Sequence, residues 1–176
     1  MKRAYIDVLI PAFHYFAVLN RGEFLYEWVI PGLITGIALL AGYFLKLPFD
    51  ATFLKQYVGV LVNLLAILVG FTITSVAVFV TIDMKKDGFL SKMSERRIYG
   101  SPITWYHFIY LNLVHGVITG IVLLGLSLAS FLLLAREVRG MLPFIFIVLT
   151  FGTAHLLLLS MRNITNLYFA FFEGTK

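Results

Sequence analysis

Two histidines, His115 and His155, lie inside long apolar runs of this 176-residue chain. An ionisable side chain within a membrane span is a functional hypothesis by default, because it is costly to hold in lipid. Neither has a carboxylate near it in sequence. A proton relay needs Asp, Glu or further His in series, and only Glu27 comes close, near the end of a span. Proton-energised transport is therefore poorly supported. A neutral imidazole hydrogen-bonded to a carbonyl or an Asn is the plainer reading, and no metal-ligand spacing links the two.

Polar residues recur at helical spacing around these histidines. Asn63, Ala66, Gly70 and Thr74 fall three and four apart, and so do Asn112, Gly116, Thr119 and Leu123. Such stripes face other helices rather than lipid, since an unpaired polar group in hydrocarbon costs several kcal/mol. They could line a path for ions or a small ligand, or only pack helices. Two GxxxG motifs, Gly32 to Gly36 and Gly116 to Gly120, clear one helix face each for close backbone approach. These faces could close the bundle internally or join protomers.

The elements that must position these residues are transmembrane helices. The chain is 60% hydrophobic and 13% charged, against roughly 45–50% and about 25% in soluble domains. Spans need about 20 mostly apolar residues. Residues 24–45, 57–82, 103–134 and 141–162 qualify, which predicts an all-α, four-helix membrane bundle. Residues 163–176 read as a tail able to extend the last helix. Residues 1–22 begin Lys2-Arg3 ahead of an apolar run, but Asp7, Pro11 and His14 interrupt it and no A-x-A-like cleavage site follows. An interfacial helix is expected there, with Arg3, Asp7, His14 and Arg21 near one face. A fifth span would bury Asp7 and His14 in lipid.

Orientation follows from Lys and Arg. Lys2, Arg3, Arg21, Lys85, Lys86, Lys92, Arg96, Arg97, Arg162 and Lys176 fall on one side, against Lys46, Lys55, Arg136 and Arg139 on the other. The positive-inside bias places both termini and the 83–101 loop in the cytoplasm of a bacterial inner membrane. The formal charge of +5 thus needs no nucleic acid to explain it. Lys85, Lys86, Lys92, Arg96 and Arg97 of that loop could anchor topology, bind anionic headgroups or dock a cytoplasmic protein.

Several chemistries are excluded. With no Cys, disulfide, thiolate-metal and thiol redox functions are out. No P-loop, H-E-x-x-H or G-x-S-x-G occurs, and no polar loop is long enough to hold a catalytic domain. No catalytic residue, cofactor or metal is expected.

At Gly70-Phe71-Thr72-Ile73-Thr74, the second span resembles that of small four-helix bacterial membrane proteins, among them the membrane component of the Kiwa phage-defence system. The resemblance covers length, span number, cytoplasmic termini and this short motif. It implies a sensor or scaffold working with a separate cytoplasmic DNA-binding partner. No motif is matched position by position, so no functional residue is carried over.

Two functions follow as expectations. The first is a non-enzymatic, homo-oligomeric membrane sensor or scaffold that couples a membrane event to a cytoplasmic partner. The second is a channel or depolarising pore lined by the stripes through Asn63, Thr74, Asn112 and Thr119.

Overall fold

The computed structural model describes residues 10–81, 89–135 and 141–172. Helix α1 is Ile10–Val18; the long helices are α2 (Arg21–Phe44), α3 (Ala51–Val80), α4 (Trp105–Ala135) and α5 (Leu142–Phe172). The four long helices have the length and apolarity to cross a membrane. Their starts follow from local chemistry. Asn20 accepts from the Glu23 amide at 2.8 Å while Glu23 Oε2 accepts from the Asn20 amide at 3.0 Å, a reciprocal capping box that opens α2. Asp50 caps α3 through the Phe53 amide at 2.8 Å.

Helix α5 is the hub, packing against α2, α3 and α4, while α3 and α4 pair along their lengths. Close approach depends on glycine. A Cβ on Gly120 would lie 2.5 Å from Val69 Cγ2, and one on Gly152 2.2 Å from Leu123 Cδ2. Three apolar clusters stack along the bundle. Val18, Phe79, Phe108 and Leu113 lie at one end, Leu65, Leu123 and Leu156 in the middle, and Leu54, Val58, Phe146 and Leu149 at the other.

Among the described residues, the structure departs from the expected all-α fold in one place. Residues 93–104 form an antiparallel hairpin, β1 (Met93–Ile98) with β2 (Ser101–Thr104). Tyr99 and Gly100 both have positive φ, 50° and 85°, as a two-residue type I′ turn requires. Ser94 and Arg96 face the bundle and Met93, Glu95 and Arg97 face out, with the period of a half-buried strand. The 83–101 segment is therefore partly strand, and α4 starts after the hairpin at Trp105.

Two helices run well past the expected spans. Helix α3 starts at Ala51, ahead of the expected 57, because Asp50 supplies its cap. Helix α5 runs unbroken through Arg162 to Phe172, so most of the expected tail is helix. The described part of the N-terminal segment, α1, is a helix packed on α4 and β1, with Tyr15 and Val18 buried. Arg3 and Asp7 lie outside the described residues.

Candidate functional site: a buried charge cluster at the hairpin end

The site begins with a fault in α2. Pro31 has no amide hydrogen for the carbonyl four residues back, that of Glu27. The helix widens there into a π-helical turn, Leu25–Val29, in which the Ile30 amide reaches back to Leu25. Such turns often occur at functional sites. His155 of α5 takes up the Glu27 carbonyl at 2.6 Å through Nδ1. A carbonyl only accepts, so Nδ1 carries the hydrogen.

The Glu27 side chain turns inward and is fully buried. Its Oε1 lies 2.5 Å from Arg162 Nη1, and its Oε2 accepts from the Tyr15 hydroxyl. Arg162 also donates from Nη2 to Asn112 Oδ1 at 2.5 Å and stands 3.7 Å from Glu23 Oε1. That same Glu23 oxygen pairs with Arg96 of β1 at 2.9 Å. Arg96 donates further to the Val18 carbonyl, closing the C-terminus of α1. Two carboxylates thus alternate with two guanidiniums, and the charges cancel, which is what makes their burial tolerable.

Aromatic and imidazole rings complete the walls. Tyr15 stacks on His115 at 3.7 Å between centroids and 8° between planes. His115 Nε2 is 3.4 Å from Thr119 Oγ1, and the two imidazoles are 6.1 Å apart. Around them, Asn112 Nδ2, His115 Nδ1, Ser160 Oγ and Asn163 Oδ1 are buried with no hydrogen-bond partner among the described residues. Among the described residues, no three His, Asp or Glu side chains are grouped to hold a metal ion.

Helix geometry sets the depth of the cluster. Asn112 is about 22 residues from the far end of α4, or about 33 Å at about 1.5 Å per residue. Arg162 is about 20 residues, or about 30 Å, from the start of α5. Measured from the far end, an apolar slab of about 30 Å would take in His155 and Glu27 and end near Asn112 and Arg162.

The expected site residues divide among three places. Asn112, His115, Thr119 and His155 join the cluster. Asn63 and Thr74 are exposed on the opposite face of α3, with Thr74 turned back on the Gly70 carbonyl at 2.9 Å. The two stripes therefore do not line one path within the protomer. Gly116 and Gly120 sit inside the bundle, whereas Gly32 is exposed and Gly36 has open space around it. Lys92 and Arg97 are exposed, but Arg96 is spent on Glu23; Lys85 and Lys86 lie outside the described residues.

Sequence reasoning passed over Tyr15, Glu23 and Arg162. The signals present were the Asn20-x-x-Glu23 capping box and Glu27 four residues before Pro31. The chain matches no protein-family model, no curated protein and no solved structure.

Proposed function

We propose that the protein is a non-enzymatic membrane sensor or scaffold, in which the charge cluster couples the spans to the hairpin and the hairpin meets a cytoplasmic protein. The observation that carries this is the unbroken run Arg96–Glu23–Arg162–Glu27. It ties a strand outside the spans to α2 and α5, and the Arg162 bond to Asn112 adds α4, so a shift of α2 against α5 must either move the hairpin or break an ion pair. Breaking one partner of a buried pair is expensive, so such a cluster switches between discrete arrangements rather than deforming smoothly.

Both termini and the hairpin then face the cytoplasm of a bacterial inner membrane, on the strength of the Lys and Arg count. A phage-defence setting is the context suggested by the resemblance of the second span. Lys92, Arg97 and the 85% exposed Tyr99 make the outward surface offered to a partner. Membrane lipids and further copies of the chain complete the expected partners, and direct nucleic-acid contact is not among them.

The test is purification in mild detergent from the native host. A stoichiometric cytoplasmic protein should co-purify and be lost with Lys92→Glu/Arg97→Glu. Recovery unchanged by that pair sinks the docking claim.

The exposed Asn63 and Thr74 favour a second reading, a pore formed between protomers. Within one protomer the apolar layers of Leu65, Leu123 and Leu156 and of Leu54, Val58 and Leu149 block any path. Ion flux in liposomes that is abolished by Asn63→Leu would establish the pore.

A further inference from the structure

The Tyr15 ring occupies a socket built from other elements. His115 of α4 stacks on one face, Glu27 of α2 accepts the hydroxyl, and the Arg162 guanidinium of α5 stands 5.9 Å from the ring centroid. Tyr15 is fully buried, yet it arrives on a nine-residue helix that buries only one other side chain, Val18. The helix is held to the hairpin by Arg96 on its terminal Val18 carbonyl and by a T-shaped ring contact of His14, at its middle, with Tyr99. Outside the socket stands Phe16, half-exposed and 5.6 Å from the His115 ring.

We propose that this socket is a binding site for a membrane-soluble hydroxyaromatic ring, a phenol or hydroquinone, and that Tyr15 fills it in cis. Each wall selects one part of that chemistry. The imidazole stack and the guanidinium select a flat π-system. The carboxylate selects a hydroxyl donor, because Glu27 Oε1 is engaged by Arg162 and Oε2 is left without a donor once Tyr15 departs, and an orphaned buried acceptor is costly. The depth of the cluster, at the edge of the apolar slab, puts the socket where an amphipathic ring with an apolar tail would rest. Displacement of Tyr15 would free α1 and its hold on Arg96. What that release does to a cytoplasmic partner rests on the coupling role proposed above; the binding and the release do not.

The experiment uses the full chain with Tyr15→Ala and reads thermal stability in detergent against p-cresol, toluene and methylhydroquinone. A hydrogen bond to a charged acceptor is worth about 1.5–3 kcal/mol, so p-cresol should bind Tyr15→Ala about tenfold or more tightly than toluene. It should show no such preference on Tyr15→Ala/Glu27→Leu. Whichever of p-cresol and methylhydroquinone binds more tightly tells a phenolic ligand from a quinol. Equal binding of toluene and p-cresol overturns the proposal, as does an equal response from the wild type.

Should Tyr15→Ala fail to accumulate, the cysteine-free chain allows the same question with Tyr15 in place. Val18→Cys, buried at 4% exposure, should react with maleimide several-fold faster when p-cresol is added and no faster with toluene. Labelling indifferent to both, or equally hastened by both, overturns it. Failure to find a cytoplasmic partner would leave either result standing.

Discussion

His155 Nδ1 lies 2.6 Å from the Glu27 carbonyl, the one acceptor in that turn which Pro31 cannot serve. A helix defect in α2 is thereby satisfied by a side chain 128 residues away, and the repair holds the Glu27 carboxylate inside the bundle. The defect and the histidine should be thermodynamically coupled. His155→Ala alone should cost about 1–3 kcal/mol by stranding a buried carbonyl. In a Pro31→Ala background, where residue 31 regains an amide, the same change should cost measurably less. A double-mutant cycle in denaturant unfolding reads the coupling; strict additivity would refute it.

Removing either end of the central ion pair should hurt more than removing both. Glu27→Leu or Arg162→Leu each leaves a buried charge uncompensated, at about 3–5 kcal/mol, whereas an apolar pair of similar volume can be nearly neutral. The double variant should therefore melt well above either single one. Neighbouring Glu23 reduces the gain, because it keeps a claim on Arg162 at 3.7 Å. A double variant no more stable than the worse single would show that the pair is not coupled as the geometry requires.

The two GxxxG motifs should respond in opposite ways to alanine. Gly120→Ala forces Val69, whose β-branched side chain has little rotameric freedom, to yield to a Cβ 2.5 Å away, and overpacking costs about 1–3 kcal/mol. Gly36→Ala meets nothing within 4 Å and gains up to about 1 kcal/mol of helix propensity. Thermal melts of the two variants, made side by side, decide this. A similar loss for both would place Gly36 against an unseen neighbour, such as another copy.

The four long helices were legible because each carries more than a bilayer's worth of apolar residues, and no tertiary contact is needed to see that. The hairpin was not. Its inward positions are Ser94 and Arg96, so alternation of polar with polar gave no period-2 signal, and Tyr99 replaces the Asn that usually announces a type I′ turn. The cluster was half legible. Asn112, His115 and His155 stood out because polar groups are rare in spans. Glu27 and Arg162, 135 residues apart and each near a span end, looked like ordinary interfacial charges. Only packing of α2 on α5 makes them a pair. Tyr15 carried no signal at all, since an aromatic residue on an interfacial helix is normally turned toward lipid.

The outward stripe of α3 yields a prediction about assembly. Asn63 lies about midway along a 30-residue helix, exposed. In hydrocarbon an amide without partners costs several kcal/mol, and Ala66, Gly70, Thr74 and Ala77 on the same exposed face leave room for a second backbone. A two-fold contact through α3 would let each Asn63 donate to and accept from its counterpart. The chain has no cysteine, so single-cysteine cross-linking in native membranes has no background. If that face meets its own copy, Ala66→Cys should form a disulfide-linked dimer on mild oxidation. Leu65→Cys, fully buried within the protomer, and Ile37→Cys, exposed on α2 away from the stripe, should stay monomeric. Asn63→Leu should cut the Ala66→Cys yield several-fold if the amide pair holds the contact. Efficient dimers from Ile37→Cys with none from Ala66→Cys would move the interface to α2, where the open GxxxG face of Gly32 and Gly36 would replace the Asn63 stripe as the surface that joins copies.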